Sequence, residues 1–155
     1  MEKDFDTWNK EKKLVDRKIV NRNLFFYPRE IWWCSAGLNI GVEANGKHKN
    51  FERPMLIIKK FNADMIWALP ITTREKQDRY HYQLEHEDLK SWVILSQIKT
   101  ISTKRLLRKI GSTPDSDFRK IISRIQSFLK IENPLSGAFS EAEATNTGSI
   151  DVPRQ

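Results

Sequence analysis

Residues 53–72 read Arg53-Pro54-Met55-Leu56-Ile57-Ile58-Lys59-Lys60-Phe61-Asn62-Ala63-Asp64-Met65-Ile66-Trp67-Ala68-Leu69-Pro70-Ile71-Thr72, and this stretch decides the fold. Two apolar runs, 54–60 and 65–72, flank the polar break Asn62-Ala63-Asp64. Runs of that length, rich in β-branched and aromatic side chains and bounded by turn residues, predict two strands joined as a hairpin. Met55 to Ile58 is continuously apolar rather than alternating, which predicts a central strand covered on both faces. Working outward, the same texture recurs at 31–35, 79–84 and 91–97, with 98–102 continuing the last; Trp92 to Leu95 is again continuous. Five or six short strands in about 80 residues predict a small, mostly antiparallel barrel in a mainly β chain with helices (α+β).

Helical periodicity appears at both ends of that region. Residues 5–20 place Phe5, Trp8, Val15 and Ile19 on one face, with Lys, Glu, Asp and Arg elsewhere, so an amphipathic helix is expected to lie on the rest. Residues 104–109 are a short basic segment ending near Gly111. Thr113 then suits an N-cap and Pro114 a first helical residue, with Asp115 and Asp117 favouring a helix N-terminus. Phe118, Ile121, Ile122, Ile125, Phe128 and Leu129 form the buried stripe, and Asn133-Pro134 stops it. Residues 135–155 are too polar to offset their ordering entropy and are expected to be disordered. The expected organisation is a helical extension 1–23, a barrel with its C-terminal helix 24–131, and a tail 132–155.

Composition narrows the function. A chain of 155 residues with 39% apolar content supports one core. No apolar run reaches membrane-spanning length and no secretory pattern opens the chain, so a cytoplasmic protein is expected. A single cysteine, Cys34, excludes an internal disulfide and a cysteine-rich zinc site. His48, His81 and His86 form no metal-ligand motif with it, and there is no Gly-rich phosphate loop or Gly-x-Ser-x-Gly elbow, so neither metal nor other cofactor is expected. Lys+Arg is 27 against Asp+Glu 20; residues 132–155 hold four of the acids and one of the bases, so residues 1–131 carry +10. Such a balance fits nucleic acid or an acidic partner, or simply a solvated basic surface.

The connection 41–54, Gly41-Val42-Glu43-Ala44-Asn45-Gly46-Lys47-His48-Lys49-Asn50-Phe51-Glu52-Arg53-Pro54, is long and polar between two strands. Loops of that length in a small domain are functional or disordered. Its Lys47, His48, Lys49 and Arg53 suit a phosphate backbone. Arg53 stands out because a core strand begins directly after it, and a guanidinium there can grip a phosphate bidentately or pair with Glu43 or Glu52. Thr72 and Thr73 end the next strand, where a hydroxyl donates to a phosphate oxygen or merely terminates the strand.

These pieces occur in a recognisable order: Ile31-Trp32-Trp33, Gly41-Val42-Glu43, Arg53-Pro54 with its aliphatic run, Pro70-Ile71-Thr72, Val93-Ile94-Leu95-Ser96-Gln97-Ile98-Lys99-Thr100-Ile101, Lys104-Arg105-Leu106 and Lys109-Ile110-Gly111. From Tyr27 to Leu129 the chain resembles the MazF/PemK family of toxin endoribonucleases from type II toxin–antitoxin systems. The resemblance implies an SH3-like barrel, usually a homodimer, that cleaves single-stranded RNA (mRNA foremost) without metal to leave a 2′,3′-cyclic phosphate and a 5′-hydroxyl. It implies an acidic antitoxin partner. It puts the catalytic arginine on Arg53 and the catalytic threonine on Thr72, or else Thr73. It puts the loop glutamate on Glu43 and an RNA-contacting glutamine on Gln97, with Lys99 and Arg105 as basic RNA contacts. Ala44 stands where the family has a glutamine, and the loop from Glu43 to Arg53 is longer than usual.

In such chemistry the RNA 2′-hydroxyl attacks the adjacent phosphorus, and the protein orients the strand and stabilises charge. Arginine is a poor general base, so Glu43 or His48 is expected to take the proton. Trp33 and Phe51 are either core or base-stacking side chains. The alternative is a non-catalytic barrel that binds RNA or a protein such as a topoisomerase.

Overall fold

The computed structural model describes residues 2–130 except Lys49, Glu87 and Asp88, with only the backbone described at Glu85, His86 and Leu89. The expected tail 132–155 lies outside the described residues. The elements are α1 (Phe5–Arg17), β1 (Glu30–Ser35), β2 (Glu52–Lys60), β3 (Met65–Thr72), β4 (His81–His86), β5 (Leu89–Ile94), β6 (Lys99–Ser102), a 3₁₀ turn (Thr103–Arg105), β7 (Leu106–Ser112) and α2 (Asp115–Phe128).

The β2–β3 hairpin forms as its sequence predicts, with Leu56 opposite Leu69 and Met55 opposite Pro70. Asn62 closes the turn: its side-chain oxygen accepts from the amides of Asp64 (2.8 Å) and Met65 (2.9 Å). The sheet runs β4-β5-β3-β2-β1-β7, and every pairing is antiparallel. One edge of β3 is shared: Ile71 and Thr72 pair with β5, while residues 65–68 pair with β6. The chain between β5 and β6 therefore passes close to the end of β3. The ladder ends at β4 and β7, so among the described residues it is open and does not run round into the closed ring expected from sequence.

Side chains alternate across β2, and both of its faces are covered, as the continuous apolar run predicts. Leu56 and Ile58 join Leu69, Ile71, Val93 and Leu95 beneath Ile121 and Ile125 of α2. Met55 and Ile57 join Phe26, Trp32, Cys34, Ile66 and Leu106 on the other face. Burial pushes the Cys34 thiol up to about 12, against the opposing pull of Arg105, so it stays a protonated core side chain.

Three local expectations need correction, and one segment without an assigned structure proves to be a strand. The first helix ends at Arg17, and Ile19 lies outside it, 93% exposed; only Trp8 of the proposed face is buried. The basic segment 104–109 is a 3₁₀ turn followed by strand β7, which pairs with β1 through Trp32–Lys109 and Trp33–Arg108. Leu106 faces inward while the strand's basic side chains stay at the surface, as on protected edge strands, so no apolar run marked it. Thr113 does not cap α2: Pro114 holds that position without a side-chain bond, and Thr113 is buried with no hydrogen-bond partner for its hydroxyl among the described residues. Arg29 instead holds the backbone there, its carbonyl accepting from the Thr113 amide (2.8 Å) and its Nε donating to the Thr113 carbonyl (3.1 Å). Finally, β5 stops at Ile94 and β4 begins at His81, which leaves Gln97 in a connection.

Candidate active site

The 41–54 connection is held together by its own backbone. Asn39 braces it twice, its amide donating to the Asn45 side chain (2.6 Å) and its side chain donating to the Ala44 carbonyl (2.7 Å). Gly46 donates to the Gly37 carbonyl (2.7 Å), and a Cβ at Gly46 would meet the Phe51 carbonyl oxygen at 1.8 Å. Lys47 and Glu52 exchange both backbone hydrogen bonds, 2.7 and 3.1 Å, closing a tight turn that leads straight into β2. His48 and Phe51 take left-handed φ values of 59° and 52° within it. Phe51 is buried against Trp8, ring centroids 5.4 Å apart, and is therefore core rather than a stacking platform.

Arg53 emerges from this turn with only 9% of its surface exposed. Its Nη1 donates to the carbonyl of Ile71 (2.8 Å), and its Nε donates to the carbonyl of Asn45. Burial lowers its affinity for a proton from the ordinary arginine value. Glu52 does not neutralise it; that carboxylate pairs with Arg108 at 2.9 Å. Two backbone carbonyls thus tie the guanidinium to the loop and to the end of β3. The next residue on β3 is Thr72, whose hydroxyl accepts from the amide of Arg74 (3.2 Å).

Two clefts meet at Arg53. The smaller, about 200 Å³, is lined by Arg53, Thr72, Thr73, Lys47, His48 and Trp33 among others. Arg108 lies over the half-buried Trp33 ring at 5.0 Å. The larger, about 710 Å³, is lined by Arg53, Glu43, Gln97, Lys99 and Arg105 among others. Nine of the ten residues singled out from sequence thus line one cleft or the other; the tenth, Lys49, lies outside the described residues. The structure does not gather Glu43 and Thr72 into one cleft, and Arg53 is the group between them.

Gln97 is occupied at both ends of its amide. Its oxygen accepts from the Ala44 amide (2.7 Å) and its nitrogen donates to the Val42 carbonyl (3.0 Å), so it grips the loop on either side of Glu43. Burial lowers the Lys99 ammonium below its ordinary value; Glu43 opposes that shift, while Arg105 and Arg53 add to it. Burial likewise lowers Arg105, whose Nη1 donates to the Ser35 carbonyl (2.7 Å). Sequence reasoning missed Asn39 and the carbonyl of Asn45. A main-chain acceptor carries no signal in residue identity, and the Asn39 brace depends on the loop's folded path.

The fold is that of MazF. The chain is similar to MazF from Deinococcus radiodurans at 16% identity, over 69% of this chain and 98% of that one, with a TM-score of 0.59. It is similar to an endoribonuclease in complex with its cognate antitoxin from a mycobacterial species at 16% identity, over 71% of this chain and 100% of that one, with a TM-score of 0.55. No curated protein matches the sequence significantly. The family model of PemK-like, MazF-like toxins of type II toxin–antitoxin systems matches residues 27–129, and the chain belongs to that family. Helix α1 lies outside the matched residues. No helix among the described residues is long and apolar enough to cross a membrane.

Proposed function

We propose that this toxin-family chain is a metal-independent endoribonuclease that cleaves single-stranded RNA at the small cleft beside Arg53. One observation carries the reading: the Arg53 guanidinium is hydrogen-bonded to the carbonyl of Ile71, the residue immediately before Thr72, and both Arg53 and Thr72 line that cleft.

A phosphodiester seated there meets a fixed cation and a hydroxyl, both in place before the RNA arrives. As the 2′-oxygen bonds to phosphorus, charge grows on the non-bridging oxygens, and the N–H groups of Arg53 not engaged by carbonyls, together with the Thr72 hydroxyl, stabilise it. The bond to the 5′-oxygen breaks, leaving a 2′,3′-cyclic phosphate on one fragment and a 5′-hydroxyl on the other. One proton leaves the 2′-hydroxyl and one reaches the 5′-oxygen. His48 lines the same cleft and is the base on this reading; Arg53 is the charged donor on the leaving side. Glu43 opens onto the larger cleft, where it orients RNA with Lys99 and Arg105 on a loop that Gln97 holds in place, while Thr73 and Lys47 flank the scissile phosphate. Trp33 offers a face for a splayed base. The complex of a mycobacterial relative with its antitoxin supports an antitoxin partner here, of acidic character to match a +10 body. On the family resemblance alone, the functional unit is a homodimer.

Purified protein incubated with RNA in EDTA should yield cyclic phosphate termini, and a substrate with one deoxyribose at the scissile nucleotide should resist. Activity lost in EDTA, or cleavage of the deoxy-substituted substrate, refutes the mechanism. Intact RNA favours the non-catalytic binding barrel.

A further inference from the structure

Helix α1 brings a second cationic surface to the molecule. Lys12 and Lys13 of α1 face Lys104 and Arg105 of the 3₁₀ turn across a groove of about 330 Å³. The helix is anchored there by the Lys104 ammonium, which donates to the Asp16 carbonyl at 2.7 Å, and by the Trp8 ring, which lies 5.8 Å from the Arg105 guanidinium. Among the described residues, none of these four cations is within ion-pair distance of a carboxylate, whereas Arg22, Arg29, Arg108, Lys109, Arg119 and Lys120 are all paired. Four uncompensated positive charges around one groove, against the single carboxylate of Asp16, make a site for anions.

The groove is not isolated. Ser102 and Arg105 line both it and the larger cleft at Arg53, so the two surfaces are continuous. Among the described residues, Val15 is its one apolar lining residue. A phosphate backbone needs charge and donors, which four cations supply, whereas a polypeptide would find a single valine as an apolar anchor among the described residues.

We infer that the groove between α1 and the 3₁₀ turn is a second binding subsite for the phosphate backbone of single-stranded RNA, receiving the strand after it leaves the cleavage cleft past Arg105. The inference rests on the ribonuclease reading and extends it: α1, outside the family-matched residues, lengthens the RNA track. Lys12 and Lys13 would then contribute affinity to long substrates and none to short ones.

The test uses the full chain, uncleavable 2′-O-methyl RNA of 4 and 15 nucleotides, and the double variant Lys12→Gln/Lys13→Gln. Both lysines are exposed and Gln keeps helix propensity, so the fold is retained. The variant should bind the 15-mer roughly 10-fold more weakly near 0.1 M salt, with its salt slope reduced by about 1.4 for two lost phosphate contacts, and should bind the 4-mer unchanged. An unchanged 15-mer affinity and slope, or equal weakening of both lengths, overturns the subsite. So does a polyglutamate 20-mer whose affinity falls in the variant while RNA affinity holds, which would assign the groove to an acidic polypeptide. In each of those cases wild-type RNA binding survives. Wild-type protein that binds neither oligonucleotide fails the ribonuclease reading itself, and the subsite falls with it.

Discussion

Helices α1 and α2 are nearly equal in length, 13 and 14 residues, and both are amphipathic, yet they belong to the molecule in different ways. α2 sets Ile121, fully buried, and Ile125 into the core shared by β2, β3, β4 and β5, with Phe118, Ile122 and Phe128 packed against it. Tyr82 on β4 donates to Asp117 at 2.7 Å to fix its first turn. α1 buries one side chain, Trp8, whose ring lies where a Cβ on Gly37 would be, 2.2 Å from that position. Its other tie to the body is polar, the Lys104 ammonium donating to the Asp16 carbonyl at 2.7 Å. α2 is therefore a wall of the core, and α1 a strap pinned by one tryptophan. The strap still reaches the site, because Trp8 packs on Phe51, two residues before Arg53.

The contrast places chemistry and stability in the braced half of the molecule, and three substitutions press on it. Arg53→Ala should lower RNA cleavage by about 10²–10³-fold, the loss expected for a preorganised donor, while the circular dichroism spectrum stays native. Cleavage that survives would move the chemistry away from the carbonyl-held guanidinium. Ile121→Ala should destabilise the chain by about 3 kcal/mol in urea unfolding, because it opens a cavity in a closed core. Trp8→Ala should cost about 1 kcal/mol globally, since the ring belongs to a peripheral element that is marginal as an isolated helix. Its signature is local: α1 amides should lose hydrogen-exchange protection while β2 and β3 keep theirs. If α1 and the core exchange as one unit, the distinction between strap and wall is wrong.

What the sequence showed and what it hid divide along physical lines. The β2–β3 hairpin was legible because apolar runs, a polar break and Asn62 all specify the same turn. The two-sided burial of β2 was legible in its unbroken apolar run. Strand β7 was not, because its side chains Arg108 and Lys109 serve a partly exposed edge and its pairing with β1 resides in backbone groups. α1 was legible as a helix but not in extent, since Ile19 continues its periodicity after the hydrogen bonds have ended. Thr113 fitted a cap by residue type, yet the fold turns its hydroxyl inward. At the site, residue identities suggested Arg53, Thr72 and their neighbours, while their division between two clefts depends on how β3 shares its edge between β5 and β6. The grip on Arg53 by Asn45 and Ile71 left no mark in the sequence at all.

That grip has a genetic consequence. Both acceptors are main-chain carbonyls, which every amino acid supplies, so exchanging the side chain at position 45 or 71 leaves the acceptor itself in place. Missense alleles that remove the held cation itself should therefore be confined to codon 53, whereas changes at codon 45 or 71 act only indirectly, by loosening the Asn39 brace on the loop or the core around Ile71.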